Sequence, residues 1–168
     1  MWLSYYCVGI FSMRQIRKNI KEYSFSGMNL PSRSVTAIHQ LRDNVYLLGI
    51  KGTGVVAFDF DSGKIVDSEV LSAIDKESNA VVSFVEVPDS DAVFLATRYF
   101  GVYQINVNNG YPVSLKHYDV SLSRRRSNFS NVATSDKYGN VWVGTPSGIS
   151  IYPSSVAALT ILSILLPV

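Results

Sequence analysis

Histidine and cysteine, which often carry nucleophilic, acid–base or metal chemistry, are scarce in this 168-residue chain. The two histidines, His39 and His117, lie 78 residues apart, and neither has a second metal ligand at a suitable spacing. Cys7 is the single cysteine, which excludes an intrachain disulfide framework and a zinc site built on several thiolates. We therefore expect no catalytic residue, no metal and no cofactor, and we interpret Cys7 as a small apolar side chain.

The segment from Asp59 to Gly63 begins like a calcium-binding loop. An EF-hand loop needs glycine at its sixth position and glutamate at its twelfth, whereas here Gly63 is fifth and Val70 is twelfth. Aspartate and glycine are also typical of tight hairpin turns, because both adopt positive φ at low cost. The segment is therefore predicted to be a hairpin turn.

The most suggestive binding chemistry lies in the run of Arg98, Tyr99 and Phe100. Aromatic rings and a guanidinium together suit stacking and hydrogen bonding to a sugar or to a partner protein. The alternative is that these rings pack between structural elements. A run of three arginines at 124–126 is interpreted as a solvated loop, with contact to an anion or an acidic sugar as the alternative.

The overall composition excludes several classes of protein. Apolar residues make up 47% of the chain and charged residues 17%, which argues against a disordered protein. Fifteen Lys and Arg against 13 Asp and Glu give a net charge of +2, too small to indicate nucleic acid or an anionic membrane as a partner. We expect a globular chain with no nucleic-acid partner.

A repeat of about 47 residues organises the chain. Three glycines that follow an apolar run are spaced by 47 residues, and three aromatic residues before them are spaced by 48. A turn rich in Asp, Asn and Gly follows the first two of these glycines, again at a spacing of 47. The glycines are Gly54, Gly101 and Gly148, and the aromatic residues are Tyr46, Phe94 and Trp142.

Each repeat contains four runs rich in Val, Ile, Phe and Tyr, separated by turn residues. In the second complete repeat we predict strands at 81–87, 92–97, 101–106 and 110–118. Short helical pieces are predicted near 70–76 and in the C-terminal tail, where a packed strand or a sticky tail is the alternative. Four strands in about 47 residues are typical of one blade of a β-propeller, whose blades must stack to bury their faces. The predicted fold class is all-β, a propeller fragment of about 3.5 four-stranded blades in an open arc.

The repeat divides the chain into 1–23 (the last three strands of a partial blade), 24–69 and 70–118 (complete blades) and 119–152 (a partial blade). Residues 153–168 form an apolar tail outside the pattern, since Ala157 occupies the place of the turn. As a helix, residues 156–168 would be about 20 Å long, short of a bilayer core of about 30 Å, so we expect no membrane span. No signal peptide is recognised. Self-association or further blades would cover the open ends.

The last repeat carries a recognisable signature. Asp136, the pair Gly139 and Asn140, the run 142–145, the pair Gly148 and Ile149, and Tyr152 follow one another in this order. This pattern resembles the two-component regulator propeller repeat, and segment 29–38 resembles the connection between blades in that family. The two complete repeats depart from the pattern at 48–50 and 96–98, where the family has a Gly-Thr pair.

The resemblance implies a fragment of the periplasmic sensor region of a bacterial hybrid two-component system. Such propellers precede a membrane span and a histidine kinase, and they detect signals such as glycan fragments. The kinase, receiver and DNA-binding parts are absent from these 168 residues, so the resemblance implies a non-enzymatic segment that binds an oligosaccharide and signals to a kinase elsewhere. A propeller that serves as a scaffold for protein–protein interaction is the alternative.

In propellers, the turn between the second and third strands of each blade shares one face with the segments that join the blades. We predict that this face binds the ligand or the partner protein, with packing of its aromatic rings between blades as the alternative. The predicted ligand-binding residues are Tyr5, Tyr6, Arg33, Arg98, Tyr99 and Phe100.

Overall fold

The computed structural model describes residues 2–5, 9–13, 20–25, 28, 30, 32–74, 80–118, 127–153 and 162–164. In these residues the chain forms 15 β-strands and one helical turn, which confirms the all-β prediction. No helix in the described part of the chain has the length and apolar character needed to cross a membrane.

The strands form four antiparallel sheets, which we call sheets I to IV in chain order. Within each sheet the strands lie side by side in the order of the sequence. Sheet I consists of β1 (Trp2–Tyr5), β2 (Gly9–Met13) and β3 (Ile20–Tyr23); sheet II of β4 (Val35–Arg42), β5 (Val45–Ile50), β6 (Gly54–Asp59) and β7 (Lys64–Val66); sheet III of β8 (Val81–Glu86), β9 (Ala92–Thr97), β10 (Val102–Asn108) and β11 (Tyr111–Tyr118); and sheet IV of β12 (Val132–Ser135), β13 (Val141–Thr145), β14 (Gly148–Tyr152) and β15 (Leu162–Ile164).

The sheets follow one another as the blades of an open propeller arc. The first strand of sheet II, β4, contacts both β1 and β8, and β8 in turn contacts β12. The second strands β5 and β9 are buried along their whole length, because neighbouring sheets cover both of their faces. The helix α1 (Glu69–Ser72) lies between sheets II and III, against β6 and β11, which confirms the short helix predicted near 70–76.

The core consists of layers between successive sheets. One face of sheet II packs against Tyr23 and Phe25, at the end of sheet I, while its other face packs against sheet III. The second face of sheet III packs against sheet IV through Phe94, Val141 and Val143. In each layer, the face of one sheet that points toward the next sheet packs against the face of that next sheet that points back. The two faces of sheet II, like those of sheet III, therefore belong to different layers.

The aromatic spacing of 48 residues between Tyr46 and Phe94 gave the wrong register. Tyr46 faces sheet I, whereas Phe94 faces sheet IV, so the two rings lie on opposite faces of their sheets. The residue of sheet II that matches Phe94 is Leu47, which packs toward the following sheet. Side chains alternate between the faces of a strand, so a shift of one residue exchanges them. Between sheets II and III, the glycine spacing of 47 gives the correct register.

The predicted hairpin turns are confirmed. In the turn between β6 and β7, Gly63 has a φ of 68°, and the backbone N–H of Asp61 donates to the Asp59 carboxylate at 2.9 Å. In the turn between β10 and β11, Asn109 and Gly110 both have positive φ, at 49° and 74°. Two consecutive positive φ angles match the right-handed twist of the flanking strands, which is why Asn-Gly is favoured there.

The C-terminal tail contributes to the last sheet. The sequence pattern ends at Tyr152, yet β15 pairs with β14 through Ile149 opposite Ile164 and Ile151 opposite Leu162. Sheet IV thus has four strands, not the partial set expected for 119–152, and this part of the tail is a packed strand, one of the alternatives left open for it. Strand pairing depends on backbone groups, so it does not require the turn residues by which the repeat is recognised.

Candidate ligand-binding face

The turn between β9 and β10 contains Arg98, Tyr99 and Phe100, and Thr97 holds it in shape. The Thr97 hydroxyl donates to the carbonyl of Gly101 at 2.8 Å and accepts from the backbone N–H of Phe100 at 3.0 Å. Thr97 is fully buried, so water does not compete for these bonds. The two hydrogen bonds of the buried Thr97 hydroxyl therefore fix the backbone conformation of the turn.

Thr145 fixes the equivalent turn of sheet IV in the same way. Its hydroxyl donates to the carbonyl of Gly148 at 3.0 Å and accepts from the backbone N–H of Ser147 at 3.2 Å. Thr97 thus corresponds to the threonine of the Gly-Thr pair, although 96–98 departs from the family pattern in sequence. In sheet II, Ile50 occupies this position and has no hydroxyl to offer.

The same turn is bonded to the segments before β8 and β12. The backbone N–H of Arg98 donates to the carbonyl of Ala80 at 2.9 Å, and the Arg98 carbonyl accepts from the N–H of Ser130 at 3.3 Å. The N–H of Gly101 donates to the carbonyl of Asn128 at 3.0 Å. The turn and the segments between sheets therefore share one end of the molecule, as expected.

Phe129 contacts two members of the run, the half-buried Arg98 and the exposed Tyr99. Its ring lies 5.2 Å from that of Tyr99 in an edge-to-face arrangement, and the Arg98 guanidinium carbon lies 5.4 Å from the ring centroid. Tyr99 remains 51% exposed. Sequence reasoning missed Phe129, although its place just before β12, next to the turn of the preceding blade, was a usable signal.

Phe100 has a different environment. It is half-buried and packs against the core layer between sheets II and III, which is the alternative left open for these aromatic rings. Its carbonyl lies 2.6 Å from Nε2 of His117, and the His117 ring stacks on Tyr103 with centroids 4.1 Å apart. His117 therefore ties the outer strand β11 to the candidate turn.

The other predicted residues lie elsewhere on the same end or outside the described residues. Arg33 is exposed in the segment before β4, next to Ser34, whose carbonyl accepts from the N–H of Lys51 at 3.0 Å. Tyr5 is the last residue of β1. Tyr6, Cys7 and the arginines at 124–126 lie outside the described residues, so their roles stay predictions.

The remaining candidates for chemistry are dispersed. His39 is in β4, with its ring 6.1 Å from that of Phe84, and burial lowers its pKa while the charge of Glu86 acts in the opposite direction. At the opposite end of the sheets, Glu86, Asp89 and Asp91 border an open groove of about 700 Å³ between sheets III and IV. Among the described side chains, no three His, Cys, Asp or Glu residues form a metal-binding group.

The fold is shared with solved extracellular domains. The chain is similar to the extracellular domain of the putative hybrid two-component system BT4673 from B. thetaiotaomicron, with 17% identity and a TM-score of 0.76 over 99% of this chain and 20% of that one. It is also similar to the corresponding domain of BT3049 from the same organism, with 18% identity and a TM-score of 0.71 over 96% of this chain and 21% of that one.

A propeller from a different setting has a similar shape. A chain of the mitotic checkpoint complex matches with 10% identity and a TM-score of 0.62, over 91% of this chain and 43% of that one. No protein-family model matches the sequence, and no curated protein is similar to it.

The chain spans about a fifth of the length of the two extracellular domains. Both domains come from hybrid two-component systems, the class of protein that the sequence signature resembles. The similarity extends over nearly all of this chain. At these identities the similarity establishes the fold: the chain is an arc of β-propeller blades with the architecture of these extracellular domains.

Proposed function

We propose that the chain is a non-enzymatic, ligand-binding segment of a periplasmic two-component sensor, and that the face around Arg98 and Tyr99 binds an oligosaccharide. The fold shared with two extracellular domains of such systems supports a sensory role. The described side chains of this face supply a guanidinium and aromatic rings, which bind a ligand without acid–base chemistry.

The arrangement around Phe129 carries this proposal. One ring contacts both Arg98 and Tyr99, so the guanidinium and the exposed phenol ring are held side by side before any ligand arrives. Holding binding groups in place reduces the entropy lost when a ligand binds. The flat ring of Tyr99 would cover an apolar face of a sugar, and Arg98 would donate hydrogen bonds to its hydroxyls or carboxylate.

The position of the turn also provides a route for a signal. Arg98 is bonded through its backbone to Ala80 before β8 and to Ser130 before β12, so it connects the first strands of sheets III and IV. A ligand that contacts Arg98 and Tyr99 would therefore bias the packing of one blade against the next. A signal of this kind requires that the ligand make different contacts with two arrangements of the blades.

Calorimetric titration of the 168-residue chain with a panel of oligosaccharides tests the proposal. We expect a ligand whose dissociation constant rises about tenfold or more in Tyr99→Ala and in Arg98→Gln. Tyr138→Ala is the matched control, because Tyr138 is 71% exposed and has Lys137 above its ring, but lies in the β12–β13 turn at the other end of sheet IV.

The outcomes separate three functions. Binding that is lost in Tyr99→Ala and kept in Tyr138→Ala supports the sensor. Absence of binding across the panel, or an equal loss in both variants, contradicts an oligosaccharide site on this face. Formation of products from the panel would contradict the non-enzymatic role. The alternative, a protein-interaction scaffold, is favoured by the similar propeller in the mitotic checkpoint complex, and it predicts that Tyr99→Ala weakens binding of a protein.

A further inference from the structure

A pocket of about 290 Å³ lies between sheets II and III, which both have four strands, at the end of the sheets where β4 finishes. This end is opposite to the candidate ligand-binding face, which adjoins the start of β4. The floor of the pocket is the face of sheet II that points toward sheet III, and each strand of sheet II contributes one aliphatic residue to it: Leu41, Val45, Ala57 and Val66. The volume is near the lower limit for small-molecule pockets, about 300–1,000 Å³, so the pocket suits a small ligand with an aliphatic part.

Arg42 forms one wall of the pocket and is held in place by sheet III. It pairs with Val45 across sheet II, so the two side chains share the face that points toward sheet III. Its guanidinium carbon lies 4.4 Å from the centroid of the Tyr111 ring. Its stem packs so closely on Gly110 that a Cβ added there would lie 2.9 Å from Cβ of Arg42.

The hydrogen-bonding capacity of Arg42 is not used within the described residues, where its guanidinium makes neither a hydrogen bond nor an ion pair. The nearby Asp59 carboxylate accepts instead from backbone N–H groups of its own hairpin turn. A guanidinium carries five N–H donors in a planar fork that matches a carboxylate. Arg42 is therefore a cation in a fixed position whose donors are available to a ligand.

Two carboxylates form a second wall of the same pocket. Asp67 and Glu69 lie between the end of β7 and the first residue of α1, and both side chains are exposed. In the part of the chain that the structure describes, neither carboxylate forms an ion pair with Arg42. A positive and a negative wall thus border one pocket without pairing with each other. A ligand that carries both an anionic and a cationic group would pair with both walls.

We propose that this pocket binds a free amino acid with an aliphatic side chain. Arg42 would donate two hydrogen bonds to the α-carboxylate, and Asp67 and Glu69 would accept from the α-ammonium group. The aliphatic side chain of the ligand would then cover the floor, where Val45 and Ala57 are 6% and 2% exposed. The contact of Arg42 with Gly110 and Tyr111 orients the guanidinium before the ligand arrives, which reduces the entropy lost on binding. This site does not depend on the proposed oligosaccharide site.

Calorimetric titration of the unmodified 168-residue chain with three related compounds tests this proposal. We expect L-leucine to bind, and we expect N-acetyl-L-leucine, which lacks the ammonium group, and L-leucinamide, which lacks the carboxylate, to bind about tenfold or more weakly. L-valine and L-isoleucine are titrated in the same way. Absence of binding for all three amino acids, or equal affinity for L-leucine and either analogue, would overturn the proposal.

A pair of variants identifies the site. Arg42→Gln should raise the dissociation constant of L-leucine about tenfold or more. Lys116→Gln is the matched control, because Lys116 also lies over a tyrosine ring, with its Nζ 4.7 Å from the centroid of Tyr118, but does not border the pocket. Both cations are exposed, so both variants are expected to fold, and circular dichroism checks this. Unchanged binding in Arg42→Gln, or an equal loss in both variants, would overturn the proposal. The comparison of the three compounds uses the unmodified chain, so it decides the question even if Arg42→Gln does not fold.

Discussion

Replacing Gly49 by alanine tests the close approach of sheets II and III. Gly49 is in β5, and its φ is not positive, so an alanine backbone fits there. An added Cβ would lie 2.7 Å from Cβ of Val81 and 3.2 Å from the Thr36 hydroxyl. Val81 is 1% exposed at the start of β8, and its Cβ is fixed to the backbone, so relief requires the two strands to separate.

Gly144 provides a matched control for this substitution. Gly49 and Gly144 occupy the same position in their sheets, each opposite the residue that follows the repeat glycine, and Ala96 holds this position in sheet III. An added Cβ at Gly144 would lie 3.1 Å from a methyl group of Val132, which is exposed and free to turn. Both substitutions remove similar backbone entropy from the unfolded chain, so their difference isolates the cost of the contact.

We expect Gly49→Ala to be less stable than Gly144→Ala by about 1–3 kcal/mol, the usual cost of overpacking a core. For a chain of this size each kcal/mol lowers the melting temperature by about 2–4 °C, so thermal denaturation followed by circular dichroism resolves the difference. Urea denaturation gives the free energies directly. Equal stabilities of the two variants would refute the reasoning, since they would show that β5 and β8 separate without cost.

Three further predictions concern the core, an acidic turn and the candidate site. Leu95→Ala, at a fully buried position, should cost about 2–5 kcal/mol of unfolding free energy, whereas Val113→Ala should stay within about 0.5 kcal/mol; urea denaturation compares them. Hydrogen bonds from the side chains of Asn140 and Trp142 lower the pKa of Asp136 to about 2 from 3.8, so the stability that its carboxylate provides is present above pH 3.8 and is lost as the pH falls toward 2. The stability difference between the wild type and Asp136→Asn should therefore shrink over that interval, and a constant difference would contradict the assignment. His117→Phe keeps the stack on Tyr103 but loses the bond to the turn, so amide exchange at 98–101 should accelerate; unchanged exchange would show that His117 does not hold the turn.

Much of the fold follows from local chemistry. Strands 81–87 and 92–97 were predicted within one residue of β8 and β9. Runs of β-branched and aromatic residues favour strands, and the turn residues between these runs mark where each strand ends. The candidate site was predicted only in part. Arg98 and Tyr99 were found from their residue types, but their partner Phe129 lies about 30 residues away in the sequence and contacts them only once two blades pack.

The sequence alone determined the repeat length, the turns at Gly63 and Gly110, and the number of strands per blade, because each depends on backbone preferences of a few adjacent residues. Tertiary structure decided which face each side chain occupies. A one-residue ambiguity between Tyr46 and Leu47 cannot be resolved by composition, since both are apolar, and only the packing of sheets II and III selects one of them. Packing also decided that β15 joins sheet IV and that Phe100 turns inward while Tyr99 stays exposed, since these depend on contacts between segments far apart in the chain.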